Sequence, residues 1–279
     1  MNNTFNFNRF NNFLLKDGKS YFRNFGVGII VFCCLNSIFW IFNLLFGTTT
    51  SPTFRFGMLC SWTALAVMFV PSRVYGKANL PREGVGFAML PASALEKFLS
   101  MFLYCAIVTP ILVFFGGFLV DTLLSLFPFG GFEKPVHLYT FNDLFRLVND
   151  NEGVVQAGDM SYPFNEIMSV GMLRISVYTS FVQWAAIFML GNMLFKKHKA
   201  GKTFACYLGI GYLLSMITGG VIYASSSRIE QWFEGFSEYP TEEMIRLCHN
   251  MMVWGMVIGI IITAVLLYFT YRKIKTQKY

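Results

Sequence analysis

Residues Arg73 to Lys97 read RVYGKANLPREGVGFAMLPASALEK, a basic polar stretch caught between two apolar runs. No charged residue occurs between Arg55 and Arg73 on one side, or between Lys97 and Asp121 on the other. Each flank therefore has the length and composition to cross a bilayer, which takes about 20 apolar residues. The stretch itself becomes a short connection on one membrane face. Its end, Ser93-Ala94-Leu95-Glu96, has the spacing of a capping box: the Ser93 hydroxyl accepts from the Glu96 backbone N–H while the Glu96 carboxylate accepts from that of Ser93. Pro91 disfavours helical geometry at Leu90, so a helix is expected to begin at Ser93 and run into the next apolar segment.

Working outward, six apolar runs are predicted to be membrane helices, at about 24–46, 54–72, 97–127, 170–194, 204–224 and 252–271. Span two is expected to end at Pro71. In span three, Pro110, Gly116 and Gly117 predict a kink or a close helix approach. In span five, Gly209, Gly211, Gly219 and Gly220 predict close backbone approach. Before span one, Phe10, Phe13, Leu14 and Tyr21 alternate with Arg9, Asn12, Lys16 and Lys19 at helical spacing, the pattern of an interfacial helix over 1–23; an Asn-rich tail with a few aromatics is the plainer reading. The segments 128–169 and 225–251 are acidic, and each has the marks of a short helix, through Asn142 to Leu147 in the first and after Thr241 in the second. The expected class is an all-α polytopic membrane protein, a single transmembrane domain over 1–279.

Bulk composition agrees. The chain is 55% hydrophobic, only 13% charged and has a mean hydropathy of +0.52, outside the range of a soluble domain. A net charge of +7 raises nucleic acid as a partner, but the basic residues form short clusters beside apolar runs, the arrangement that orients membrane proteins. The N-terminus, the 72–97 connection, the 195–203 turn and the C-terminal tail together hold 16 of the 22 Lys and Arg but only Asp17, Glu83 and Glu96 of the 15 acids. That segregation predicts both termini on the cytoplasmic side, in a bacterial inner membrane, with 128–169 and 225–251 outside. Nucleic acid is not expected as a partner; membrane lipid is.

The phrase Leu90-Pro91-Ala92-Ser93-Ala94-Leu95-Glu96-Lys97-Phe98, preceded by Arg82-Glu83-Gly84-Val85-Gly86, resembles the loop between the second and third membrane helices of ABC-2 type permeases, the membrane subunits of many ABC exporters. It covers under a tenth of the chain; the six-span layout extends the likeness. The resemblance implies that this loop carries a coupling helix seated on a separate ATPase subunit, which would bind ATP and magnesium, and that two permease halves pair as a homodimer or with a related chain. It also implies an amphipathic N-terminal helix and short outer helices before span six. On that reading the coupling loop comprises Arg82, Glu83, Gly84, Gly86, Leu90, Pro91, Ser93, Glu96 and Lys97. Glu83 makes a polar contact with the ATPase, Gly84 and Gly86 allow a close turn, and Ser93 with Glu96 fixes the helix start. Without the resemblance, the same residues read as a flexible turn followed by the start of a membrane helix.

Little else in the sequence points to chemistry. There is no GxxxxGK[ST] phosphate loop, no Gly-x-Ser-x-Gly and no His-Glu-x-x-His, so the chain is expected to be a transport subunit and not an enzyme, with no cofactor or metal of its own. The six cysteines show no CxxC spacing and read as core packing. Asp121 and Arg174 fall at the outer ends of spans three and four, as interfacial anchors or a mutual pair. The apparent lack of charge within the membrane speaks against a secondary carrier, which needs a polar lining; a non-transporting scaffold or sensor is the other alternative.

Overall fold

A computed structural model describes residues 5–80, 83–127, 131–132, 135–136, 154–157, 160–163, 170–224 and 241–276. Among them, six helical runs are long and apolar enough to cross a membrane: Phe7–Phe46, Phe54–Val74, Ala94–Ser125, Ile175–Leu194, Lys199–Gly220 and His249–Thr276. In hydrocarbon a chain must satisfy its own backbone groups, and a helix does so within one segment. The protein is a helical multi-pass membrane protein.

The first run is α1 (Phe7–Cys34) followed by α2 (Ser37–Phe46). No break separates an interfacial helix over 1–23 from span one. Instead α1 continues through both, because one row, Phe13, Asp17, Tyr21, Phe25, Ile29 and Cys33, is buried at four-residue spacing along its whole length. The interruption comes at Leu35–Asn36, where the buried Asn36 amide donates to the Arg55 carbonyl (3.3 Å) and its oxygen accepts from Trp62 Nε1 (3.1 Å). A short polar side chain offers competing hydrogen bonds there. Gly47 closes α2 at φ 63°, the left-handed geometry that favours glycine.

Helix α3 (Pro52–Val74) starts on a Ser51 cap with Pro52 in its first turn. It does not end at Pro71: the ring's fixed φ is helical, and Tyr75 N–H still donates to the Pro71 carbonyl (3.0 Å), carrying the helix to Val74. After the short α4 (Gly84–Ala88), α5 (Ala94–Phe102) passes through a π-helical turn (Leu103–Val108) into α6 (Thr109–Ser125). Pro110 lacks the N–H that an α-helix would use, and the widened turn sits directly before it. Thr109 Oγ1 donates to the Tyr104 carbonyl within that turn (2.7 Å).

The two glycines of α6 make the close approaches expected of them. A Cβ on Gly116 would lie 2.5 Å from Cys33 Sγ of α1, and one on Gly117 would collide with Leu59 of α3. Helices α7 (Val170–Leu194), α8 (Lys199–Ala224) and α9 (Thr241–Thr276) complete the bundle. The core draws on α1, α3, α5, α6 and α7, with Ile274 from α9; α7 brings Ala185, Met189 and Met193 to it and α3 brings Ala66, Val67 and Val70. Helix α9 lies on α7 and α5, and α8 touches α7 and α3.

In span five no close approach is found among the described residues: none comes within 4 Å of a Cβ built on Gly209, Gly211, Gly219 or Gly220, and every residue from Phe204 to Gly220 is exposed. The close contact falls at the other partner: Gly191 of α7 admits Thr203 at the start of α8. Cys33 and Cys105 are buried as expected, but Cys34 and Cys206 are exposed and are not core residues. Overpacking a tight helix contact costs about 1–3 kcal/mol. Gly117→Val is therefore expected to lower the unfolding midpoint in detergent clearly, and Gly209→Ala to leave it unchanged; equal effects would show that the α6 approach is not tight.

The segment after α6 is not purely helical: Val154–Ala157 (β1) and Met160–Pro163 (β2) form an antiparallel hairpin with Val154 opposite Pro163. Tyr162 and the β-branched Val154 and Val155 suit paired strands, a pattern the all-α reading passed over. The helix expected from Asn142 to Leu147 lies outside the described residues. The one expected after Thr241 is the first part of α9, continuous with span six.

Candidate functional site

The connection from Arg73 to Lys97 lies at one end of the bundle, and tertiary contacts hold it on three sides. Its capping box is fully formed: Glu96 N–H donates to Ser93 Oγ (3.3 Å), and Ser93 N–H to Glu96 Oε2 (2.8 Å). The Glu96 carboxylate does more than cap. Arg9 of α1 grips it in two-pronged fashion, Nε to Oε2 at 2.8 Å and Nη2 to Oε1 at 2.6 Å, and the Asn6 N–H adds a third donor at 3.0 Å. Glu96 is wholly buried, while Arg9 keeps about a third of its side chain in solvent (29%). Paired charge-assisted bonds of this geometry are among the stronger polar contacts available to a protein. They fasten the start of α1 to the start of α5.

Lys97 closes the second side. Its ammonium reaches back to the Ala88 carbonyl (3.0 Å) and lies 5.2 Å from the centre of the Phe87 ring, tying α4 to α5. The third side is the turn between α7 and α8. Asn192 Nδ2 donates to the Tyr75 carbonyl (3.1 Å), Asn79 Nδ2 to the Phe195 carbonyl (3.3 Å), and Lys199 Nζ to the Gly76 carbonyl. The last carbonyls of a helix have no intrahelical partner, and here neighbouring side chains supply the donors.

Of the residues singled out from sequence, Ser93, Glu96 and Lys97 come together at the base of α5. Glu83 stands apart, half-exposed, and pairs with the exposed Lys77 at 3.2 Å. Gly84 and Gly86 do not form a close turn: both lie inside α4, and a Cβ on Gly86 would meet only open space. The short helix replaces the turn, so neither position requires a left-handed backbone. Leu90 and the exposed Pro91 occupy the bend between α4 and α5, facing α1 across a groove. Arg82 lies outside the described residues.

Sequence reasoning missed the buried charges. Asp17 of α1 is buried and accepts from Tyr75 Oη (3.0 Å) and Ser100 Oγ (2.7 Å), joining α1, α3 and α5 close to the Glu96 end. Tyr104 Oη donates to the Leu14 carbonyl (3.0 Å), and Gly18 leaves it room. At the opposite end Asp121 is no interfacial anchor. It is fully buried against Arg55 Nη1 at 2.6 Å, with its second oxygen accepting from Val136 N–H (2.8 Å) and the Phe132 ring 4.0 Å from the Arg55 guanidinium carbon. Asp121 pairs with Arg55; the side chain of Arg174, the other partner expected for it, lies outside the described residues. Arg55 was legible only as the boundary of a charge-free run; Asn36 and Asn192, polar residues inside apolar spans, were visible signals of cross-helix bonds.

Among the described residues no three His, Cys, Asp or Glu side chains gather as a metal site. The arrangement is a polar connection bonded to the start of α1, the start of α5 and the end of α7. Compared with protein-family models, with curated proteins and with solved structures, the chain matches none.

Proposed function

We propose that this chain is the permease subunit of an ABC-2 type exporter in the bacterial cytoplasmic membrane, with both termini inside. In this reading it works as a pair of permease chains, and a separate ATPase subunit binds ATP and magnesium. ATPase closure pushes on the Glu83 to Lys97 region, and the motion moves a hydrophobic or amphipathic substrate across the membrane. The observation that carries the proposal is the anchoring of the whole Arg73 to Lys97 connection: Glu96 to the start of α1, Lys97 back to α4, and Tyr75, Gly76 and Asn79 to the ends of α7 and α8. A loop that merely linked two spans would have no need of a buried carboxylate gripped by another helix. The concentration of Lys and Arg at the same end supports its cytoplasmic placement.

The direct test is co-purification from native membranes in mild detergent. An ATPase in stoichiometric amount is expected; a permease dimer recovered without one counts against the proposal. Within the loop, Glu83 is the acid left available to a partner, since Glu96 is consumed internally. Glu83→Ala removes only an exposed ion pair, worth at most about 1 kcal/mol to the fold. If it bonds the ATPase, its loss is expected to lower transport-coupled ATP hydrolysis about tenfold, the equivalent of one charge-assisted bond, with insertion and melting unchanged. Undiminished coupling would remove Glu83 from the interface.

One observation favours a second reading. Asp17 is an acid buried within the helical bundle, which is the mark of an ion-coupled carrier. It lies level with Tyr75, at the end of α3, whereas carrier sites sit near the bilayer midplane. Proton uptake by proteoliposomes that is abolished in Asp17→Asn would favour the carrier over the permease.

A further inference from the structure

A half-open groove of about 610 Å³ runs between the first turns of α1 and the bend before α5. Arg9, Asn12, Phe13 and Lys16 form one stripe of α1 along it, the i, i+3, i+4, i+7 pattern of a single helix face. Its opposite wall is Leu90, Pro91 and Ala92. We propose that this groove binds the headgroup of an anionic phospholipid.

Three observations point to that ligand. The first is charge: the exposed Lys16 and the Asn8 and Asn12 amides line the groove beside Arg9, whose own charge is matched by the buried Glu96. Lys16 is exposed, and the neighbouring Asp17 turns away to Tyr75 and Ser100. The second is the apolar lining supplied by Phe13, Leu90, Pro91 and Ala92. Those side chains suit acyl chains; a free ion would gain nothing from them. The third is depth: the groove opens beside the first turn of α5, where an apolar span begins, so its mouth lies at the headgroup level of the bilayer. The proposal rests on the membrane placement of the apolar helices and is independent of the transport reading.

The test uses the purified full-length protein in detergent, titrated with phosphatidylglycerol or with phosphatidylcholine of the same acyl chains and read by native mass spectrometry. Phosphatidylglycerol is expected to be retained in preference. Lys16→Gln should weaken it about fivefold, the effect of one basic residue at an anionic surface, with phosphatidylcholine binding and melting unchanged. Lys16→Arg should keep the preference. A photoactivatable phosphatidylglycerol should label residues 6–16 or 89–92. Equal retention of the two lipids, an unaffected Lys16→Gln, or labelling elsewhere would overturn the assignment. Displacement by millimolar inorganic phosphate would also overturn it, by reducing the groove to a simple anion site.

Discussion

Replacing Asp121 by Asn is expected to cost about 3–5 kcal/mol of stability, enough to depopulate the folded bundle in detergent, because it strands the Arg55 charge in a buried site. The arrangement around the pair makes the loss hard to absorb. Arg55 has no exposed side-chain surface, its guanidinium is covered by Phe132, and the segment that brings Phe132 is itself held by the bond from Val136 N–H to Asp121. Water cannot readily replace the lost partner. The double variant Arg55→Met with Asp121→Asn removes the stranded charge and leaves an amide oxygen for Val136 N–H. It is expected to recover most of the loss, since buried ion pairs contribute little net stability relative to apolar substitutes. Equilibrium unfolding in detergent measures both. A single variant as stable as the parent, or a double variant no better than the single, would show that the pair is not the closed, desolvated unit described above.

The second large effect is expected at Glu96, where one substitution removes a helix cap and the anchor of another helix together. Glu96→Ala deletes the bond to Ser93 N–H and the three bonds from Arg9 and Asn6. A lost cap costs about 1 kcal/mol and a charge-assisted bond about 1.5–3 kcal/mol, before any discount for the partial exposure of Arg9. A total near 3 kcal/mol is expected, concentrated at the first turns of α1. Amide hydrogen exchange gives the local reading: protection should fall over the first two turns of α1 and at the base of α5, and stay unchanged around Arg55 and Asp121. A double-mutant cycle with Arg9→Met should show non-additive losses; additive effects would mean the two side chains act independently. Because Glu96 is built into the fold, a coupling defect in Glu96→Ala would not identify an ATPase contact. Glu83 alone carries that test.

Sequence determined the class of this protein, its six apolar helices and the formed capping box at Ser93 and Glu96, because each depends on residues close in the chain. Bilayer length, helical spacing and a four-residue cap motif are local properties; Gly116 and Gly117 marked only where an approach could occur, and Cys33 and Leu59 on other helices supply it. Tertiary structure decided what no window could contain. Arg9 meets Glu96, Arg55 meets Asp121, and Asp17 meets Tyr75 and Ser100 across separations of 87, 66, 58 and 83 residues. It also set the fate of the span-five glycines, since a small residue permits an approach and only the placement of the neighbouring helix makes one. Burial of a charge is a property of what packs around it, which is why a chain that reads as free of membrane charge has Asp17, Arg55, Glu96 and Asp121 buried among its described residues once its helices assemble.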